Sequence, residues 1–263
     1  MDLQLHGKRA LVTGSTAGIG LAIATALARE GADVVVNGRT EARVAEAVGK
    51  VRAEATSAVS GIAADTGTRA GTDLLVARLG DLDVDILVNN LGIFEPKTFA
   101  EIGDEDWLRF FEINVLSGVR LSRAYLPGML KRNWGRVVFI SSESGFQIPA
   151  EMIHYGVTKS AQVSLARGLA ETTAGTGVTV NSVLPGPTKS EGVEGFVEKI
   201  SGGKSFAEFE REFFVTVRPT SLIKRFERVE EVAAVVAFVC SPVASGINGA
   251  AVRAEGGVLK SAF

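Results

Sequence analysis

The chain has 263 residues, 46% of them hydrophobic and 22% charged, with a formal charge of −2. That length suffices for one well-buried core near the upper end of single domains. The near-neutral balance gives neither the basic footprint of a nucleic-acid binder nor a field that would hold the chain on an acidic membrane.

The N-terminal "MDLQLHGKRALVTG" lacks the charged region and long apolar run of a signal peptide. No stretch of 18 apolar residues follows, so no membrane span is expected. "RALVTG" (9–14) is a buried-strand run, and "GLAIATALAREGA" after it has helical spacing. "DVVVNG" (33–38) predicts the next strand and "TEARVAEAVGKVRAEA" (40–55) the next helix. "AVSGIAAD" (58–65), "VDILVNN" (84–90), "GRVVFISS" (135–142) and "GVTVNSVLPG" (177–186) continue the strands. The series closes with "VEEVAAVVAFVC" (229–240) as helix and "GAAVRAEGG" (249–257) as strand. Its one cysteine, Cys240, cannot form an internal disulfide, which suits a reducing, cytoplasmic setting. Short strands, apolar on both faces and separated by helices, predict an α/β fold with a parallel sheet covered on both sides.

Residues 187–227 break the rhythm. They are too long for an ordinary connection and hold two amphipathic stretches around "SGGKS". Phe206, Phe209, Phe213 and Phe214 recur there at helical spacing. Such rings pack a short helix, or they face a pocket as a mobile cap; the position after a strand's carboxyl end favours the cap.

"TGSTAGIG" links the first strand to the first helix. Gly14 permits the tight turn, Gly18 lets a pyrophosphate approach the backbone, and Gly20 allows the helix to pack on the sheet. Ser15, Thr16 and Ile19 complete the turn expected to hold the cofactor. At the end of the second strand an acid would accept from ribose hydroxyls in an NAD site. Here the slot is Gly38, with Arg39 next. A guanidinium can hold a 2′-phosphate, which points to NADP(H), with NAD(H) as the alternative if Arg39 is idle.

The glycine turn, "NNLG" (89–92), Asn114, Ser142 and the Tyr155–Lys159 pair occur together and in order. In this the chain resembles the short-chain dehydrogenases/reductases over essentially its full length. The resemblance implies a single-domain Rossmann fold with a doubly wound sheet of about seven strands, residues 187–227 forming the cap. It also implies a homodimer or homotetramer and a small carbonyl or alcohol substrate. Tyr155 would act as general acid/base and Ser142 would orient the substrate oxygen. Lys159, one helical turn from Tyr155, would draw the phenol's pKa down and bind the nicotinamide ribose. Asn114 would hold a water linking Lys159 to solvent. Asp65 would contact the adenine, Asn90 and Gly92 the cofactor turn, and Pro185, Gly186 and Thr188 the nicotinamide amide. Leu91 departs from the family's common alanine. The expected pocket wall is Ser142, Glu143, Phe146, Gln147, Met152, His154 and Tyr155.

Other chemistries lack their residues. "GGKS" (202–205) has Glu198 where a Walker glycine belongs. No Gly-x-Ser-x-Gly elbow occurs. Two histidines and one cysteine cannot assemble a Cys/His metal cluster. Arg218, Lys224, Arg225 and Arg228 form a basic group that is either a solvated face or an attractant for an acidic substrate. Two rival functions stand beside an NADP(H) reductase: an NAD-dependent alcohol dehydrogenase, and a non-catalytic protein that senses nicotinamide nucleotides.

Overall fold

The computed structural model describes residues 2–200 and 203–262. The first half alternates strand and helix: β1 (Arg9–Val12), α1 (Gly18–Arg29), β2 (Asp33–Gly38), α2 (Glu41–Arg52), β3 (Val59–Ala63), α3 (Arg69–Leu79) and β4 (Ile86–Asn89). α4 (Asp104–Phe111) runs through a π-helical turn (Glu112–Leu116) into α5 (Ser117–Lys131). Then follow β5 (Gly135–Ile140), α6 (Ile153–Glu171) and β6 (Val178–Pro185). The 187–227 segment supplies β7 (Thr188–Lys189), α7 (Glu191–Ile200), α8 (Phe206–Thr216) and β8 (Glu227–Arg228). α9 (Val229–Val239) and β9 (Ala251–Ala254) complete the chain.

Seven strands form one parallel sheet in the order β3-β2-β1-β4-β5-β6-β9. The runs of Val, Ile and Leu explain this, because a strand buried on both faces needs no polar alternation. β4 is buried at all four positions and β6 at all eight. One face is packed by Ile23 and Leu27 of α1, Val51 of α2 and Val232 and Val236 of α9. The other is packed by Leu75 of α3, Leu121 and Met129 of α5 and Ala166 of α6. Each fully buried aliphatic side chain contributes about 1.5–3 kcal/mol.

The order reverses at β1, with β2 on one side and β4 on the other. That switch point opens a crevice at the carboxyl ends of the strands, where α/β sheets bind ligands. The turns after β1, β4, β5 and β6 carry the glycine motif, Asn90–Gly92, Ser142 and Pro185–Thr188 to that edge.

The two ends of the 187–227 segment meet where β7 pairs with β8, Thr188 opposite Glu227. α8 begins at a capping box, the Ser205 amide donating to Glu208 Oε2 at 2.9 Å. Ser201 and Gly202, in "SGGKS", lie outside the described residues.

Candidate active site

Residues from six segments line a cavity of about 290 Å³ at this edge. Tyr155 and Lys159, on α6, share a face, with Lys159 Nζ 5.6 Å from the centre of the Tyr155 ring. Ser142 follows β5 and caps the short turn after it, its Oγ accepting from the Ser144 amide at 3.1 Å. The same hydroxyl donates to Glu143 Oε2 at 2.5 Å. Glu143 Oε1 accepts from Arg218 Nε at 3.0 Å, and both side chains are nearly fully buried. A buried ion pair thus stands directly behind the serine.

Burial dominates the electrostatics. It raises the Tyr155 phenol above its ordinary range, Glu143 adds to the rise, and hydrogen bonding with Ser142 and the charge of Arg218 oppose it. Burial lowers the Lys159 amine to about 7. This works against the expected pull of Lys159 on Tyr155, since burial disfavours the charged amine that would attract a phenolate. Lys159 Nζ donates to the Ile140 carbonyl at 2.9 Å and to Gln162 Oε1 at 3.1 Å.

Asn114 sits in the π-helical turn, 1% exposed. Its side chain accepts from the Ile93 amide at 2.8 Å and donates to the Ile93 carbonyl and Thr158 Oγ1, both at 3.0 Å. It therefore ties the loop after β4 to α6. Its main-chain carbonyl accepts from Gln162 Nε2 at 2.5 Å, a second tie between this turn and α6.

The glycine turn fits a dinucleotide. Gly14 and Gly18 have φ of +59° and +55°, a region L side chains rarely adopt. A Cβ on Gly20 would lie 2.4 Å from the Gly14 carbonyl oxygen, so only glycine lets α1 approach the turn this closely. No side chain caps the N-terminus of α1 at Ala17, leaving its first amides and the positive dipole end for an anion. Gly38 has a reason too: a Cβ there would meet Thr16 Cγ2 at 2.3 Å. Arg39 is exposed just beyond, without an ion-pair partner among the described residues. Asp65 is exposed at the end of β3, one carboxylate oxygen accepting from the Gly67 amide. Ile19, Asn90, Gly92, Pro185, Gly186 and Thr188 line the cavity.

Several expected positions fall elsewhere. Ser15 is fully buried: its hydroxyl donates to the Val12 carbonyl and its amide to the Asn37 carbonyl, so neither is free for a phosphate. Asn90 lines the cavity, yet its side-chain amide is committed to the Thr13 and Gly14 carbonyls. Ser142, Glu143, Met152 and Tyr155 do share the cavity, whereas Phe146 and Gln147 are exposed outside its lining. His154 is also outside it. One residue along a helix turns about 100° away from Tyr155, which sends His154 against Phe110, ring centres 3.9 Å apart. Both its ring nitrogens lack hydrogen-bond partners among the described residues, and desolvation lowers its pKa. The basic group is largely neutralised: Arg218 by Glu143 and Glu151, Arg225 and Arg228 by Glu231.

Sequence reasoning missed the Glu143–Arg218 pair, the Asn37 network and Gln162. Asn37 donates to the Ile62 and Ala64 carbonyls and fastens the ends of β2 and β3. Glu143 and Arg218 are 75 positions apart, and only the fold brings them together. The 187–227 segment contributes Val193, Val197, Phe209, Phe213 and Phe226 to the lining. Phe226 gathers the rings, 5.0 Å from Phe213 and 5.3 Å from Phe214.

The family model described as short chain dehydrogenase matches residues 8–200. The uncharacterized oxidoreductase YvaG of Bacillus subtilis is 49% identical, with all of both chains covered. D-beta-hydroxybutyrate dehydrogenase of Cupriavidus necator is 34% identical over 96% of this chain and 98% of its own. The crystal structure of L-sorbose reductase from Gluconobacter frateurii, complexed with NADPH and L-sorbose, superposes with a TM-score of 0.94. It is 32% identical, covering 99% of this chain and 100% of that one. With a doubly wound sheet, a glycine turn at its switch point and full-length relatives of one kind, the chain belongs to the short-chain dehydrogenases, a family of oxidoreductases.

Proposed function

We propose that this oxidoreductase moves a hydride between NADP(H) and a small carbonyl or alcohol, with Tyr155 as general acid/base. The observation that carries the reading is the convergence of Tyr155, Ser142 and Lys159 on one cavity beside the glycine turn. When bound, the nicotinamide supplies or accepts the hydride; the chain does the rest. The Gly14, Thr16, Gly18, Ile19 and Gly20 turn would hold the pyrophosphate through backbone amides, and Asp65 the adenine. Arg39 would pair with a 2′-phosphate. Lys159 would hold ribose hydroxyls and Thr188 the carboxamide.

In the reducing direction the Tyr155 phenol gives its proton to the substrate oxygen, which Ser142 orients. Because Ser142 donates to Glu143 and accepts from the Ser144 amide, one lone pair is left to accept from the phenol until a substrate oxygen competes for the proton. Phe94, Met152, Phe209 and Phe213 give the rest of the cavity apolar walls. Glu143 neutralises Arg218, so that guanidinium is not free to hold an acidic substrate, and burial disfavours the charge on Lys159. An uncharged ketone therefore fits better than a carboxylate. L-Sorbose and a short 3-oxo acid, matching the sorbose reductase and the hydroxybutyrate dehydrogenase, form an informative opposed pair of first substrates.

For the assembly we adopt the family's homodimer or homotetramer, which light scattering after gel filtration checks. For the setting we adopt the cytoplasm, with which a single, unpaired cysteine agrees. Among the described residues no helix is long and apolar enough to cross a membrane.

Titration with NADPH and with NADH, followed by reduced-nicotinamide fluorescence, tests the cofactor. A preference of about tenfold for NADPH, about 1.4 kcal/mol, that disappears in Arg39→Ala is the expected result. Equal binding in the wild type would favour NAD-dependent alcohol oxidation instead.

A further inference from the structure

We propose that Gln162 is a positioning residue that joins Lys159 to the Asn114 carbonyl, filling with a side chain the link expected of a water. The proposal rests on the reading of Tyr155 and Lys159 as the reacting pair.

Three observations carry it. First, Gln162 lies three residues after Lys159 and seven after Tyr155, so all three occupy one face of α6. It is 1% exposed, an uncommon place for an amide unless both its ends are bonded. Second, both ends are bonded, and each to a group of the site. Oε1 accepts from Lys159 Nζ at 3.1 Å, and Nε2 donates to the Asn114 carbonyl at 2.5 Å. Third, that carbonyl belongs to a π-helical turn, a departure from ordinary helical pairing of a kind frequent at functional sites. The Asn114 side chain, meanwhile, is committed to Ile93 and Thr158.

The amide therefore has a defined orientation. Its oxygen faces an ammonium and its nitrogen a carbonyl; flipped, it would set NH₂ against Nζ and oxygen against oxygen. With the Ile140 carbonyl as the second acceptor, two of the three Nζ protons are held. The third is left for the cavity, where Tyr155, Glu143 and Arg218 are the other titratable or charged side chains of the lining. Gln162 thus aims the amine and, by accepting from it, favours its charged form.

Two substitutions separate this role from packing. Leucine nearly matches glutamine in volume, excludes water and makes neither hydrogen bond. Alanine is smaller and leaves room for a water to span Lys159 and Asn114. If Gln162 only fills space, Gln162→Leu is the milder change in every readout. The proposal expects the reverse for chemistry: Gln162→Leu lowers kcat roughly tenfold or more, within the range of proton-transfer effects, and Gln162→Ala lowers it less.

A readout independent of turnover is NMR titration of ¹³C-labelled lysines, the Lys159 signal being assigned by its loss in Lys159→Met. In Gln162→Leu the Lys159 titration moves about one unit lower, and in Gln162→Ala by less. An unmoved titration in Gln162→Leu, or alanine proving the harsher change for kcat, would overturn the proposal. Tyr155→Phe, assayed alongside, keeps the failures apart: full activity in that variant would remove the Tyr155 reading itself. Loss of activity there with an unmoved Lys159 would remove only the role of Gln162.

Discussion

At the scale of single residues, the site is set by what is buried together. Lys159 and Tyr155 are both pushed toward their neutral forms by desolvation, so their charges are costly in this cavity. The sign of the pH effect follows for Lys159. Its amine titrates near 7 in the fold, against an ordinary value of 10.5. Between those values the unfolded chain holds the proton and the folded one does not, so stability rises with pH. Chemical denaturation of wild type and Lys159→Met should show the difference between them growing in the wild type's favour from about pH 7 to about pH 10. A flat difference would mean that Lys159 is not desolvated. Arg218 offers a second check. Arg218→Met strands the Glu143 carboxylate, and breaking one partner from a buried pair costs about 3–5 kcal/mol. Arg218→Met with Glu143→Gln should recover much of that loss, since the amide needs no counter-charge.

At the scale of elements, the turn after β1 and the cap impose the tightest requirements. Gly18 lies at φ +55°, and a Cβ on it would meet Ser190 Cβ at 3.3 Å. Gly18→Ala should therefore weaken NADPH binding about tenfold or more, the added methyl also standing where backbone amides face the phosphates. Phe213 of α8 faces the cavity and stacks on Phe226. Phe213→Ala should raise KM for apolar ketones more than it lowers kcat, with a stability loss of about 3–5 kcal/mol at most. Much of this was legible in the chain, for reasons particular to each part. β2 was readable to the residue because "DVVVNG" lies between a helix end and Arg39. The α6 pair was readable because i and i+4 spacing is a local property. Phe209 and Phe213 were readable as an amphipathic stripe, and they serve both readings, packing on Phe226 while lining the cavity. What escaped were contacts between distant segments. The inward turn of Ser15 depends on Asn37, the Glu143–Arg218 pair on the cap's return, and Gln162 on a π-helical turn with no sequence signature. His154 was misplaced because nearness in sequence to Tyr155 is not nearness on a helix face.

At the scale of the whole molecule, the sheet does the positioning. Seven parallel strands aim their carboxyl ends at one edge, and the switch at β1 leaves the crevice there. The two hydrophobic layers support that edge from both sides, so turns from four strands, far apart in the sequence, keep their spacing there. The 187–227 segment, whose ends pair as β7 and β8, adds its apolar rings to the lining of the cavity. A net charge of −2 gives no strong steering field, so affinity must come from local contacts rather than long-range attraction.

The central claim is that Tyr155 transfers the proton in an NADPH-dependent carbonyl reduction. NADPH consumption over a panel of ketoses, simple ketones and 3-oxo acids, by wild type and Tyr155→Phe, tests it most directly. The account predicts turnover by the wild type and a fall of about 10²- to 10⁴-fold in kcat for Tyr155→Phe, with NADPH affinity nearly unchanged. Equal turnover by the two proteins would contradict it. So would NADPH binding with no turnover of any carbonyl, the behaviour of a nucleotide sensor.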